Sequence, residues 1–254
     1  MNATWKYLYA IGPADEASGL DLVDFVEAGL NGTSVDVVTS GQLAAYVSDV
    51  PAKKVRPVRK HLAAHHAVLR NLALQTTALP MSFGMIAEDE SEVVDLLESR
   101  HDDLAERVVR LAGRIEMTLR VRWDVENVFQ MFVETSEDLR AARDAIVAAG
   151  PADRDEKIAA GELFAKLLEQ ARDTDKASLA DDLLGGCEEV RWNDPRDETE
   201  SVSLAALVHR DAIDDFEAAV HRAAEAFDDR YVFDLGGPHP PHSFVSVQLS
   251  LDAA

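Results

Sequence analysis

The sequence predicts an α+β protein of two domains: an N-terminal variant of the ferredoxin-like βαββαβ arrangement, then a mixed α+β domain with a helical insertion. Three observations predict it. Strand-like and helix-like periodicities alternate in the order β-α-β-β-α-β from residue 1 to about residue 86. Residues 114–124 alternate without a fault, the clearest strand in the chain. Residues 125–184 then read as helix, and strands return after 200. The domains are accordingly placed at 1–112, including trailing helices, and 113–254, with the helical segment at about 125–184. A chain of 254 residues is long enough for one large domain or two small ones.

In order, Trp5, Tyr7, Tyr9 and Ile11 alternate with Thr4, Lys6, Leu8 and Ala10 as a first strand, closed by Gly12-Pro13. A short helix fits 20–28. Val35–Val38 and Leu43–Val50 are two strands, and Thr39-Ser40-Gly41-Gln42 suits the hairpin between them. Residues 57–77 read as a long helix opening on Pro57, whose fixed φ suits a first helical turn. Its apolar stripe is Val58, Leu62, His65, Leu69 and Leu72. Leu79, Met81, Phe83 and Met85 alternate as a strand, with Pro80 near its start or on an edge.

Residues 90–112 read as helix, with Asp89 and Glu92 at capping-box spacing. In the strand 114–124, Ile115, Met117, Leu119, Val121 and Trp123 share a core face. Arg114, Glu116, Thr118, Arg120 and Arg122 share a face for solvent or a partner. Helices follow, with breaks expected near Ser136, Gly150-Pro151 and Asp173. A loop or short strand at 185–200 precedes a strand at 202–209, a helix at 212–227 capped by Asp211, a strand at 230–234, a turn at Gly236–Pro241 and a strand at 244–251.

Composition excludes several function classes. There are 47 Asp+Glu against 25 Lys+Arg, a net charge of −22. Phosphate backbones and anionic lipid surfaces are held by clustered Lys and Arg, so neither nucleic acid nor membrane lipid is an expected partner. No run reaches the roughly 18–20 apolar residues of a membrane helix. The opening residues carry no secretory pattern, so a soluble, cytoplasmic protein is expected. One cysteine, Cys187, excludes an intrachain disulfide and a cysteine-rich zinc site. The 7 Lys against 18 Arg and 27 Asp fit either a salt-loving host or a GC-rich genome.

The common phosphate-loop, dinucleotide, serine-hydrolase and zinc-protease motifs are absent, and no catalytic residue, cofactor or metal is assigned. His61 and His65 have the i,i+4 spacing of a metal pair, but His65 falls on the apolar stripe and reads better as a core histidine. His239 and His242 flank Pro240-Pro241 and are weak metal ligands by pattern. The paired aspartates, such as Asp102-Asp103 and Asp214-Asp215, read as wet helix faces. The segment 236–244, Gly-Gly-Pro-His-Pro-Pro-His-Ser-Phe, combines glycine freedom with three rings that fix φ. It reads as a shaped segment packed on the body or offered to a partner.

Several segments recur together in this order: His65–Leu69, Leu79-Pro80-Met81-Ser82-Phe83-Gly84-Met85, the strand Arg114–Asp124 and the Gly-Pro-x-Pro-Pro-x-Ser-Phe tail. With Tyr7-Leu8-Tyr9-Ala10-Ile11 and Val47-Ser48-Asp49, they resemble the gas vesicle protein F/L family (GvpF and GvpL) across nearly the whole chain. Members often carry aromatics around the paired prolines, where this chain has His239 and His242. The resemblance implies a non-enzymatic accessory or minor wall component of gas vesicles. It implies binding to the hydrophobic shell protein GvpA, limiting its aggregation during nucleation, with other accessory Gvp proteins as further partners. The partner-contact candidates are Pro80, Met81, Phe83 and Met85 in the first domain, and Gly237, Pro238, Pro240, Pro241 and Phe244 in the second. The competing reading is an ACT-like regulatory module binding a small molecule, with Gly12-Pro13-Ala14-Asp15-Glu16 as the turn that would receive it.

Overall fold

The computed structural model describes residues 4–20, 25–149 and 154–245. They are mixed α+β and carry two sheets. The chain divides into two compact units: residues up to 117, 207–211 and from 237 onward in one, and 118–206 with 212–236 in the other. The units are discontinuous because three long strands run through the division.

In the first unit, β1 (Trp5–Pro13) leads through the short α1 (Ala14–Ala17) to the hairpin β2 (Asp36–Ser40) and β3 (Leu43–Val50). Gly41, at φ +57, makes the tight turn of that hairpin. Helix α2 (Arg59–Gln75) follows, then the short bridges β4 (Leu79–Pro80) and β5 (Ile86–Ala87), then α3 (Glu90–Ser99) and α4 (His101–Arg110). The sheet order is β2-β3-β1-β4, with β5 also on β1, and the pairs are antiparallel. β1 is central, so Tyr7, Leu8, Tyr9, Ala10 and Ile11 are all buried, and its alternation does not separate a wet face. Val68, Leu69, Leu72 and Ala78 close the core against Tyr7, Tyr9 and Tyr46.

β6 (Arg114–Trp123), β8 (Glu200–His209) and β9 (Tyr231–His239) are the strands that cross the division. With β7 (Glu189–Trp192) they form the second sheet, in the order β7-β8-β6-β9. The second unit adds α5 (Val128–Thr135), α6 (Glu137–Ala149), α7 (Arg154–Leu184) and α8 (Ile213–Ala224). Its core gathers Trp123, Val128, Phe132, Val133, Leu139 and Leu168.

Several expectations need correction. The helix expected at 20–28 falls partly on residues outside those described, and Phe25–Ala28 form a turn with Glu27 at φ 60. Pro57 precedes α2 rather than opening it, because Val58 is extended at φ −85, ψ 155. The strand expected through Leu79–Met85 is only two bridges. The chain leaves β1 after Pro80 and turns at Gly84, φ +90, before rejoining at Ile86. The helix 90–112 is two helices separated at Arg100, whose φ −116 and ψ 18 are not helical. The expected capping geometry is present, with Asp89 accepting the backbone N–H of Glu92 at 3.0 Å. α7 runs through Asp173 unbroken, and its Asp175 turns inward to Ser201 and Tyr231. Ala212, not Asp211, stands at the start of α8, because residues 210–212 form a 3-10 turn. β9 continues through Gly236–His239, where a turn was expected. The strand expected at 244–251 lies mostly outside the described residues, and His242–Phe244 is a 3-10 turn.

Candidate functional site

A buried hydrogen-bond chain fixes the segment between β4 and β5. The Gly84 N–H donates to the Tyr7 hydroxyl at 3.1 Å, and that hydroxyl lies 3.0 Å from His65 Nδ1. His65 also bonds the Met81 backbone in the sense that favours a proton on the ring. A carbonyl acceptor there places the proton on Nε2 and leaves Nδ1 to accept from Tyr7. His65 is 2% exposed, and burial, with His66 and His242 nearby, lowers its pKa to about 4. It is therefore a neutral core histidine at pH 7, as its place on the apolar stripe suggests.

Phe83 packs edge-on against Tyr7 and His65, with ring centroids 5.9 and 5.5 Å away. Pro80, Met81 and Met85 are buried, so only Phe83 of the first candidate set is partly exposed. The geometry of this segment is thus that of a core closure. Phe83→Ala is expected to cost about 1–2 kcal/mol in urea unfolding, since part of a ring leaves the core. An unchanged midpoint would show that the ring is not part of the packing.

The other face of α2 is open. Ala63, His66, Ala67 and Arg70 are exposed, at spacings that put them on one side of a helix. Opposite them runs the proline-rich tail. Gly237 sits at φ +130, and a Cβ there would lie 3.1 Å from the Glu116 carbonyl oxygen. The tail is held at its far end: the Ser243 N–H and Oγ–H donate to the two oxygens of Glu116 at 2.7 and 2.8 Å, and Phe244 is 2% exposed. Pro240 and Pro241 are buried, Pro238 half-buried, and Gly237 exposed. Between helix and tail lies a cleft of about 550 Å³, lined by Ala63, His66, Ala67, Arg70, Glu116, His239, Pro240 and His242.

The cleft is rich in ring nitrogens. The His66 and His242 rings are 6.3 Å apart. Packing about the His242 ring, with His66 and then His239 beside it, lowers its pKa to about 4, although the residue keeps substantial solvent exposure. Among the described residues, no group of three or more His, Cys, Asp or Glu side chains is placed to hold a metal ion. His61 instead bonds the Arg56 carbonyl and the Asn31 side chain, at 2.9 and 3.1 Å. Cys187 is half-buried, and burial pushes its thiol up to about 11, an unreactive state at neutral pH.

The turn that an ACT-like ligand would need is filled from within. The Glu16 carboxylate accepts from Thr76 Oγ1, the Thr77 N–H and Thr77 Oγ1 at 2.8, 2.6 and 3.1 Å. A Cβ at Gly12 would stand 2.5 Å from the Thr77 carbonyl oxygen. The sequence singled out the tail with His239 and His242 but not Arg70, and it placed Glu116 on a solvent or partner face, whereas its side chain is buried against Ser243. The one signal for Glu116 was a lone acid on the otherwise basic and hydroxylic face of the 114–124 strand.

The family model described as gas vesicle synthesis protein GvpL/GvpF matches residues 5–246. Gas vesicle protein F of Streptomyces sp. (strain CB03234) is 32% identical over 211 residues, 83% of this chain and 87% of that protein. The fold is similar to the crystal structure of GvpF from Anabaena sp. PCC7120, with a TM-score of 0.80 at 24% identity over 97% of this chain and 100% of that one. It is also similar to GvpF from Microcystis aeruginosa, with a TM-score of 0.77 at 23% identity over 95% of this chain and 98% of that one.

Proposed function

Because the chain belongs to the GvpL/GvpF family of gas vesicle synthesis proteins, we propose that it is a non-enzymatic assembly factor for the hydrophobic shell protein GvpA. In this reading it holds GvpA, limits its aggregation during nucleation, and works in the cytoplasm in association with the growing wall and other accessory Gvp proteins. The antiparallel order β2-β3-β1-β4 supports reading the first unit as a ferredoxin-like variant. Family membership is the observation that carries the proposal.

The physical chemistry agrees with it. A shell subunit exposes apolar surface before it is built in, and a carrier must cover that surface while staying dispersed. A net charge of −22 keeps the complex dispersed by repulsion. No helix among the described residues is long and apolar enough to cross a membrane. A groove of about 380 Å³ in the first unit, lined in part by Leu43, Ala105, Val108 and Val109, offers an apolar seat, and Val109 is 72% exposed.

Co-purification with GvpA from lysate, at low and high salt, tests the reading. Capture at both salts is expected, with Val109→Asp weakening it about tenfold, the effect of a charge placed in an apolar contact. Absence of capture together with normal vesicles in a deletion strain would overturn the proposal.

A further inference from the structure

We propose that the cleft between α2 and the proline-rich tail is a binding site for a small oxyanion, a polycarboxylate or a phosphate. The inference stands on charge and geometry and is independent of GvpA binding. In a chain of −22, a cationic and N–H-donating concavity is an exception that repulsion elsewhere on the surface makes more selective.

Arg70 is exposed at the mouth of the cleft and has no ion-pair partner among the described residues. By contrast, Arg107, Arg122, Arg143, Arg191 and Arg230 each hold a carboxylate. A free guanidinium presents a planar fork of donors that matches a carboxylate or phosphate edge. His66, His239 and His242 line the same space. In the neutral state each imidazole offers one N–H donor.

Two of these rings, His66 and His239, disfavour a proton on His242. His65, on the same helix behind His66, adds a third neighbour. Three imidazoles and a guanidinium thus line one cleft whose single lining acid is Glu116. Glu116 is 6% exposed, and both of its oxygens accept from Ser243. It anchors the tail and forms no ion pair with Arg70 among the described residues. An arriving anion supplies that counter-charge, which is the physical reason for a site here.

Size and walls agree. A cleft of about 550 Å³ is within the usual range for small-ligand sites and exceeds the needs of one water or chloride ion. Ala63, Ala67 and Pro240 give it short apolar walls, so a carbon skeleton or ester group finds contact beside the charged end.

The test is imidazole NMR on the full chain, titrated with citrate and, separately, with inorganic phosphate at pH 6 and pH 8. Saturable shifts of the His66, His239 and His242 signals are expected at both pH values, carried by the Arg70 guanidinium and the imidazole N–H donors. Saturation by citrate with little by phosphate assigns a carboxylate ligand, and the reverse assigns a phosphate. Both results support the site. Arg70→Gln, on an exposed helix face, should fold normally and weaken binding about tenfold, whereas Arg143→Gln should leave it unchanged. No saturable shift with either anion at pH 6, or equal binding in the Arg70→Gln variant, overturns the proposal.

Discussion

Between pH 6.5 and pH 4 the protein is expected to lose about 3 kcal/mol of stability through His65 alone. The ring's pKa falls from 6.5 to about 4 on folding, chiefly because burial disfavours the cation. Over that window the unfolded chain binds a proton that the folded chain refuses. Stability therefore rises with pH, is complete above 6.5 and is lost as pH falls towards 4. At about 1.4 kcal/mol per unit, a displacement of about 2.5 units gives the stated size.

Ordinary carboxylates begin to protonate at the acid end of this window, which relieves the −22 charge, an effect of opposite sign. Urea unfolding at pH 7, 6, 5 and 4.5 reads His65 together with His242, whose pKa is also lowered to about 4, and the difference from a His65 variant isolates His65. His65→Phe should start lower at pH 7, since it strands the Tyr7 hydroxyl and a Met81 backbone group, but its stability should change far less across the window. Parallel pH profiles for the two proteins would show that His65 is not the acid-sensitive group.

The same residue shows what the sequence made legible. His65 was placed on the apolar stripe of a helix, and a buried, neutral ring follows from that placement. Period two gave the core face of β6 correctly, from Ile115 to Trp123, because that face is buried along its whole length. Alternation failed at β1 and again at Leu79–Met85, for different reasons. A central strand buried on both faces has no wet side to report. The second segment alternates in sequence, yet its backbone donors and acceptors go to Tyr7, Tyr9 and His65 instead of a ladder.

Of the candidate contact residues, the tail set lies beside the cleft, while Pro80, Met81 and Met85 are packed inward. Arg70 is not unusual in its own segment, and Glu116, a lone acid on a basic face, read as solvent- or partner-facing although it is 6% exposed. Their meaning comes from a pairing of residues 116 and 243, far apart in the chain, and periodicity within a segment carries no information about such a pairing.

Gly237→Ala is expected to cost about 3 kcal/mol and to dismantle the cleft. Two penalties combine. At φ +130 an L side chain is strained whatever space surrounds it. The added Cβ would also fall 2.5 Å from Met117 Sδ, 3.1 Å from the Glu116 carbonyl oxygen and 3.3 Å from Met117 Cα. The sulfur can swing aside, although Met117 is itself buried, but the two backbone atoms belong to a core strand and cannot.

The tail must therefore move, and the Ser243 bonds to Glu116 and the burial of Phe244 are lost with it. Gly32→Ala separates the two penalties. Gly32 sits at φ +78 with nothing within 4 Å of its would-be Cβ, so only backbone strain applies, about 1 kcal/mol. Urea unfolding of both variants, with the His239 and His242 signals followed by NMR, reads the difference. If Gly237→Ala costs no more than Gly32→Ala and leaves those signals in place, the tail is not seated on β6 by this contact. If it costs more and the signals shift, the glycine is required because only a residue without a Cβ lets the tail approach Glu116 closely enough to close one wall of the cleft.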